Sequence, residues 1–315
     1  MWGASPDNRG PYPLHHRRRY VMPGKLPTIT IGGDLAVTAI GYGAMQLTGP
    51  QVWGPYPDHE GGLRLLRSLM DEGVTFIDTA DVYGPHTNEL LIREALHPYP
   101  EDLVIATKGG FVRGGHDYST RGSVGNPKYL RQALMTSLRR LGLDRVQLYY
   151  LHSGYAVDAP FEDQVGELKA MQDEGYIQHI GLSNVTVEQY EIARGIADIA
   201  AVTALYNVGN RSGRALLAAA ERDGAVFSPW HPVSLRDGGE NAGRVAATLA
   251  PIAAAHGATP QQVALAWLLH RSPVMLPIPG STSLAHVREN MAAASIALSP
   301  EEVAAITALA DDAAE

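Results

Sequence analysis

Residues 146–184 read VQLYYLHSGYAVDAPFEDQVGELKAMQDEGYIQHIGLSN, and they decide the fold. Val146–Leu151 is a short apolar run, as expected for a strand buried on both faces. Phe161–Asp173 carries apolar residues at helical spacing and stops near Gly175. Ile177–Leu182 is apolar again. A strand, a helix of about a dozen residues and a second strand form a βαβ unit, which requires parallel strands.

The same alternation extends in both directions. Upstream, strands are predicted at Ile40–Gly43, Thr75–Asp78 and Leu103–Thr107, with helices at Asp58–Glu72, Asn88–Leu96 and Pro127–Leu141. Asn88 stands as a candidate cap of its helix. Downstream, Val187–Arg194, Ser212–Arg222, Gly243–Ala255 and Pro260–His270 read as helices. Ala201–Tyr206, Ala225–Ser228 and Val274–Pro277 read as strands. Helices near Leu284–Ala293 and Pro300–Ala310 close the chain. About eight strand–helix units without a break predict an α/β fold, a closed (β/α)₈ TIM barrel. Thr28–Ile31 and Leu35–Val37, joined by Gly32-Gly33-Asp34, predict a β-hairpin across the barrel bottom. Residues 1–26, with Pro11, Pro13 and Pro23, read as an irregular arm. Residues 27–315 read as one barrel domain.

Composition narrows the function. The 315 residues carry a formal charge of -8, which disfavours nucleic acid and anionic membrane as partners. There is no cysteine, so disulfides, thiolate nucleophiles and cysteine-bound metals are excluded. Arg17, Arg18 and Arg19 precede no long apolar run, so no signal peptide is predicted, and a cytoplasmic location is expected. The twelve histidines show neither HExxH nor an H-x-H after the first strand, so no metal site is predicted.

Four polar residues fall at or just after the carboxyl ends of successive predicted strands: Asp78, Tyr83, Lys108 and His152. In a parallel barrel those ends share one face, where active sites lie. Singly, each has an ordinary explanation: a turn cap, a packing aromatic, a solvated lysine and a structural histidine. Together they form an acid catalyst. Addition of a hydride to a carbonyl leaves an alkoxide that needs a proton. An ammonium beside a phenol lowers its pKa. Lys108 would do this for Tyr83, Asp78 would hold Lys108 by ion pairing, and His152 would orient the carbonyl oxygen.

At these residues the chain resembles the aldo-keto reductase superfamily, specifically its bacterial branch with short substrate loops. The run Phe76-Ile77-Asp78-Thr79-Ala80-Asp81-Val82-Tyr83-Gly84, then Asn88-Glu89, is similar to the family's first signature. Ala106-Thr107-Lys108 and Tyr150-Leu151-His152 match its lysine and histidine. The resemblance covers roughly Thr28 to the C-terminus. It implies an NAD(P)H-dependent reductase of aldehydes or ketones with Tyr83 as general acid. It also implies NADPH as the cofactor, with NADH as the alternative.

The resemblance further implies which residues hold that cofactor. Gly43, Ala44 and Met45 lie in the loop whose backbone approaches it, beside Asp78. Ser183 and Asn184 bond the nicotinamide carboxamide, although Asn184 also reads as a cap of the following helix. Thr203 replaces the family's usual glutamine with a shorter side chain. Phe227 stacks on the nicotinamide ring, and Ser228, Pro229 and Trp230 wrap the pyrophosphate. Gly280, Ser281, Ser283, His286, Glu289 and Asn290 meet the adenosine end. Gly280 and His286 replace cations common in strict NADPH users, with Arg288 nearby as a substitute. By position, Trp53, Ser153, Tyr155 and Trp230 line the substrate pocket. Two other readings remain open: a cofactor-binding sensor subunit of the same fold, and a Schiff-base aldolase using Lys108.

Overall fold

The computed structural model describes residues 26–152, 154–235 and 242–311. A hairpin comes first, β1 (Thr28–Ile31) paired antiparallel with β2 (Leu35–Thr38). Its turn uses Gly32 and Gly33, both at positive φ. Glycine there avoids the clash that a Cβ would cause.

Seven parallel strands follow: β3 (Tyr42–Gly43), β4 (Phe76–Asp78), β5 (Val104–Gly109), β8 (Val146–Leu151), β9 (Ile177–Ser183), β10 (Ile199–Leu205) and β11 (Val226–Trp230). They adjoin in that order. Between β5 and β8 lies a small antiparallel hairpin, β6 (Phe111–Arg113) with β7 (Arg121–Ser123). Its Gly114-Gly115 turn and charged flanks carry no strand pattern, so the sequence predicts no strand there.

The predicted strand Val274–Pro277 does not form a regular ladder. Residues 274–279 nevertheless close the barrel. The amide of Phe227 donates to Val274 O at 2.8 Å, and that of Leu276 to Phe227 O at 2.9 Å. On the other edge, Gly41 N donates to Pro277 O at 3.0 Å and Gly43 N to Pro279 O at 3.3 Å. Pro277 and Pro279 have no N–H to return those bonds, so the eighth strand is an acceptor on that side.

The helices are α1 (His59–Asp71), α2 (Thr87–Leu96), α3 (Pro127–Leu141), α4 (Phe161–Asp173), α5 (Val187–Arg194), α6 (Arg214–Asp223), α7 (Ala242–Ala255), α8 (Pro260–Arg271), α9 (Leu284–Ala292) and α10 (Pro300–Asp311). Local chemistry sets their ends. Asp58 caps α1, and Asn126 caps α3 with Pro127 in its first turn. Thr186–Gln189 and Thr259–Gln262 form capping boxes on α5 and α8. Two expected caps are corrected. Asn184 lies two residues before Thr186, which takes the cap of α5. Asn88 lies inside the first turn of α2, and its side chain turns into the protein.

Strand alternation divides the core into two layers. Tyr149, Leu151, Ile180, Leu182, Val202 and Phe227 pack into the outer layer with helix residues such as Leu134, Leu168 and Trp267. Phe76, Val104, Ala106, Leu148, Tyr150, Val226 and Leu276 fill the barrel interior. Ile31 and Val37 of the hairpin join this interior group and are fully buried. The hairpin is also tied by an Asp34–His179 pair at 2.5 Å and by Thr38 N donating to Thr75 Oγ1 at 2.8 Å. It therefore plugs the amino-terminal end, as expected, and leaves the carboxyl-terminal end as the barrel mouth.

Candidate active site

Asp78 ends β4 and Lys108 lies near the end of the neighbouring β5. Both point inward, because they continue the interior series Phe76–Asp78 and Val104–Ala106–Lys108. The Lys108 ammonium donates to Asp78 Oδ1 and, at 2.8 Å, to the Thr79 carbonyl. Both side chains are almost wholly buried. A buried charge persists only when it is paired and hydrogen-bonded, which this arrangement achieves.

The loop that carries Tyr83 is held along the end of β5. Thr79 N donates to Ala106 O at 2.8 Å and Asp81 N to Lys108 O at 3.1 Å. Gly84 and His86 turn the chain with positive φ. The buried Asn88 braces this loop against the first one. It accepts from Thr79 Oγ1 at 2.6 Å and donates to Ala44 O at 2.9 Å and Leu47 O at 2.8 Å. Tyr83 is thereby placed with its ring centroid 5.3 Å from Lys108 Nζ. His152, fixed by its amide bond to Gly109 O, presents its ring edge-on at 6.2 Å from the Tyr83 ring. All four predicted residues meet at the mouth.

The electrostatics differ from expectation in one respect. Burial pushes the Tyr83 phenol well above the ordinary tyrosine range, and the negative charge of Asp78 adds to this, as do Tyr118 and Asp81. Acidification by Lys108 does not prevail, because desolvation of the ring outweighs it. The same burial, with the Lys108 charge second, holds His152 well below the ordinary histidine range. The site therefore presents a protonated phenol and a neutral imidazole. Asp78 Oδ2 and His152 Nδ1 are buried without a hydrogen-bond partner among the described residues. Unpaired buried polar atoms are costly, so these favour a polar ligand.

A second buried network lies behind Tyr83, and sequence reasoning missed most of it. Glu89 accepts from Thr107 Oγ1 at 2.7 Å and from Arg140 Nε at 2.5 Å, and Arg140 also donates to Ser137 Oγ. Arg140 arrives from α3 and carries no local signal of this role. The β6–β7 hairpin was missed too. Phe111 packs on the His152 ring at 4.4 Å. The Arg113 guanidinium lies over both the Trp53 and Tyr118 rings, at 5.4 and 5.0 Å.

Ser183, Thr203 and Ser228 stand side by side on β9, β10 and β11, pointing inward at one level. Asn184 follows with φ 55° and receives the indole N–H of Trp230 on Oδ1 at 2.9 Å. Phe227 is a correction. Val226, Ser228 and Trp230 face inward, so the period of two turns Phe227 and Pro229 outward. Phe227 is fully buried against Tyr206 in the helix layer. Trp230 is the aromatic that β11 presents to the site.

Gly43 and Gly280 face each other, where a Cβ on either would lie 2.7 Å from backbone oxygen. Their lack of side chains lets the first and eighth strands close. Ala44 is buried and Met45 half-buried beside them. Beyond Gly280, Ser281 bonds Ser283, and Ser283 caps α9. His286 is exposed, Glu289 half-buried and Asn290 buried on that helix. Arg288 is engaged by Glu72 at 2.7 Å. Of the pocket residues, Trp53 sits beside Gly84 and is partly exposed, while Tyr155 is largely exposed. Ser153 lies outside the described residues. Among the described residues, no group of three acidic or histidine side chains is placed to hold a metal, and no single helix is long and apolar enough to cross a membrane.

The aldo/keto reductase family profile matches residues 39–311. A pyridoxine 4-dehydrogenase of Escherichia coli is 44% identical over 279 residues, spanning 87% of this chain and 95% of the relative. An uncharacterized oxidoreductase of Schizosaccharomyces pombe is 41% identical over 275 residues, 85% of each chain. Among solved structures, an aldo-keto reductase from Klebsiella pneumoniae in complex with NADPH superposes with a TM-score of 0.74 at 28% identity, covering 90% of this chain and 95% of that one.

Proposed function

This chain belongs to the aldo/keto reductase family, and on that premise we propose that it reduces an aldehyde or ketone with NADPH at the barrel mouth, with Tyr83 as proton donor. The observation that carries the assignment is the buried group itself. Lys108 bridges Asp78 and the Thr79 carbonyl while sitting 5.3 Å from the Tyr83 ring, with His152 on another side of that ring.

When bound, the dinucleotide supplies the two electrons of the reduction. The residues present suit it. Ser183 and Asn184 offer hydroxyl and amide groups to a carboxamide. Ser228 and Trp230 line the middle of the mouth. Ser281, Ser283 and the α9 residues Glu289 and Asn290 offer polar groups at the adenosine end. His152, neutral, offers a ring N–H to the carbonyl oxygen. Tyr83 gives its proton to the alkoxide oxygen as it forms. A phenol raised by burial can still do this, because an alkoxide is a far stronger base than a phenolate. The Lys108 ammonium then stabilises the phenolate left behind. Its charge acts at short range in a buried site, where screening by water is weak.

The aldolase alternative loses support, because a Schiff-base lysine needs a free amine and Lys108 is committed to two acceptors. For the substrate, we propose an aromatic aldehyde of the pyridoxal type, since the 44% identical relative is named a pyridoxine 4-dehydrogenase. We place the protein in the cytoplasm, as the absence of cysteine favours. The test is Tyr83→Phe, assayed by NADPH oxidation with pyridoxal and benzaldehydes. Turnover should fall by at least about 10²-fold, the scale of general acid catalysis, while NADP⁺ binding stays within twofold. Retained turnover would remove Tyr83 from the role. Binding without turnover in the unmodified protein would favour the sensor reading.

A further inference from the structure

We propose that Trp230 is a positioning residue that fixes which way the Asn184 amide faces, and so makes this site selective for a primary carboxamide on its cofactor. The inference rests on the assignment of Asn184 to the nicotinamide end, made above.

The two ends of an asparagine amide have nearly the same shape, but one accepts hydrogen bonds and the other donates. Nothing intrinsic to the residue chooses between its two orientations. An indole N–H is a donor only. Trp230 Nε1 lies 2.9 Å from the Asn184 oxygen, so the oxygen end must face the indole. Asn184 Nδ2 then donates to Ser183 Oγ at 3.1 Å. One lone pair on Oδ1 and one N–H on Nδ2 remain. That acceptor–donor pair is complementary to a primary carboxamide, which offers a donor and an acceptor at the same spacing.

The contact crosses a strand. Trp230 is on β11 and Asn184 follows β9, with β10 between them. In register, Trp230 pairs with Leu205 of β10, two residues nearer the mouth than Thr203, which is flanked by Ser183 and Ser228. These three small side chains form the layer just beneath the indole. The backbone at Asn184 is already in the left-handed region at φ 55°, which restricts where its side chain can point. Asn184 N also donates to Thr203 O at 2.9 Å, so main chain and side chain are both held. On its other side, Trp230 meets the His231 ring edge-on at 4.9 Å.

The experiment compares binding of NADP⁺ with that of its 3-acetylpyridine analogue, which replaces the carboxamide NH₂ by a methyl group. Dissociation constants are measured by calorimetry, so no turnover is required. A site built to bond an amide rejects an analogue that leaves its groups unpaired, and one lost hydrogen bond corresponds to about tenfold. The unmodified protein should prefer NADP⁺ by about that factor. Trp230→Phe keeps the ring and removes the N–H, so the preference should fall to about twofold, with an unchanged melting temperature. Asn184→Asp, which keeps the oxygen and loses the donor, should do so even if the Trp230 variant folds poorly. A preference unchanged in Trp230→Phe, or unchanged in Asn184→Asp, overturns the proposal while leaving the reductase assignment intact. Failure of the unmodified protein to bind NADP⁺ overturns both.

Discussion

Asp81 lies two residues before Tyr83 and is buried, with Oδ1 lacking a partner. Burial pushes its carboxyl well above the ordinary range, and the neighbouring Glu89 charge pushes it further, while Arg140 and Lys108 oppose the shift. The folded protein thus binds this proton more tightly than the unfolded chain. The stability gained from that proton is full below the unfolded value of about 3.9 and is lost as pH rises toward the raised folded value. Asp81→Asn replaces the protonated acid by a neutral group of the same shape. Its melting temperature should match the parent near pH 4 and exceed it by at least about 2 °C at pH 8, a shift worth roughly 1 kcal/mol in a chain of this size. Calorimetric scans at the two pH values decide this; equal melting temperatures at pH 8 would show Asp81 to be stably ionised. The four residues of the reaction were legible because their types and strand-end positions name a chemistry. Their protonation was not, because it depends on burial by neighbours such as Phe111 and on the nearby Tyr118 and Asp81, which only the folded chain brings together.

At the scale of elements, most βα units could be read from period and caps, and Val146–Leu151, Pro127–Leu141, Phe161–Asp173 and Val187–Arg194 have the predicted bounds. The less regular parts were hidden for specific reasons. The eighth strand was legible at Val274–Pro277, but its irregular pairing was not, because Pro277 and Pro279 take part through their carbonyls alone. Phe227 was assigned to the mouth by resemblance, although the alternation along its own strand turns it outward. The β6–β7 hairpin is too short and too polar to show a pattern, yet it roofs His152. Arg113 fastens it to the first loop by donating to Val52 O at 3.1 Å and by stacking on Trp53. A cation–π contact at a partly exposed site contributes about 0.5–1 kcal/mol, and Arg113 makes two. Arg113→Ala should therefore free the hairpin, raising KM for the aldehyde about fivefold and speeding proteolysis within residues 114–120. The NADP⁺ dissociation constant should stay the same, since this hairpin packs on His152, the residue proposed to hold the carbonyl. A change confined to cofactor binding would contradict that placement.

Across the whole molecule, the two ends of the barrel are built for different purposes. The mouth concentrates features that cost stability: a buried ion pair, unpaired Asp78 Oδ2 and His152 Nδ1, and a left-handed Asn184. The opposite end has the reverse character, with Ile31 and Val37 sealing an apolar interior against Phe76, Val104 and Leu148. Their burial offsets the cost of the mouth without touching it, because the barrel interior between them is packed solid. Ile31→Ala should then separate stability from activity. Truncating a fully buried isoleucine costs about 2–5 kcal/mol, which should appear as a clear loss in denaturant midpoint. At 25 °C, well below unfolding, kcat/KM and the NADP⁺ dissociation constant should remain within about twofold of the parent, a change under 0.5 kcal/mol. If kcat/KM instead fell in step with stability while the variant stayed folded, the plug would have to transmit its packing through Tyr150 and Leu148 to Lys108, and the two ends would be one mechanical unit.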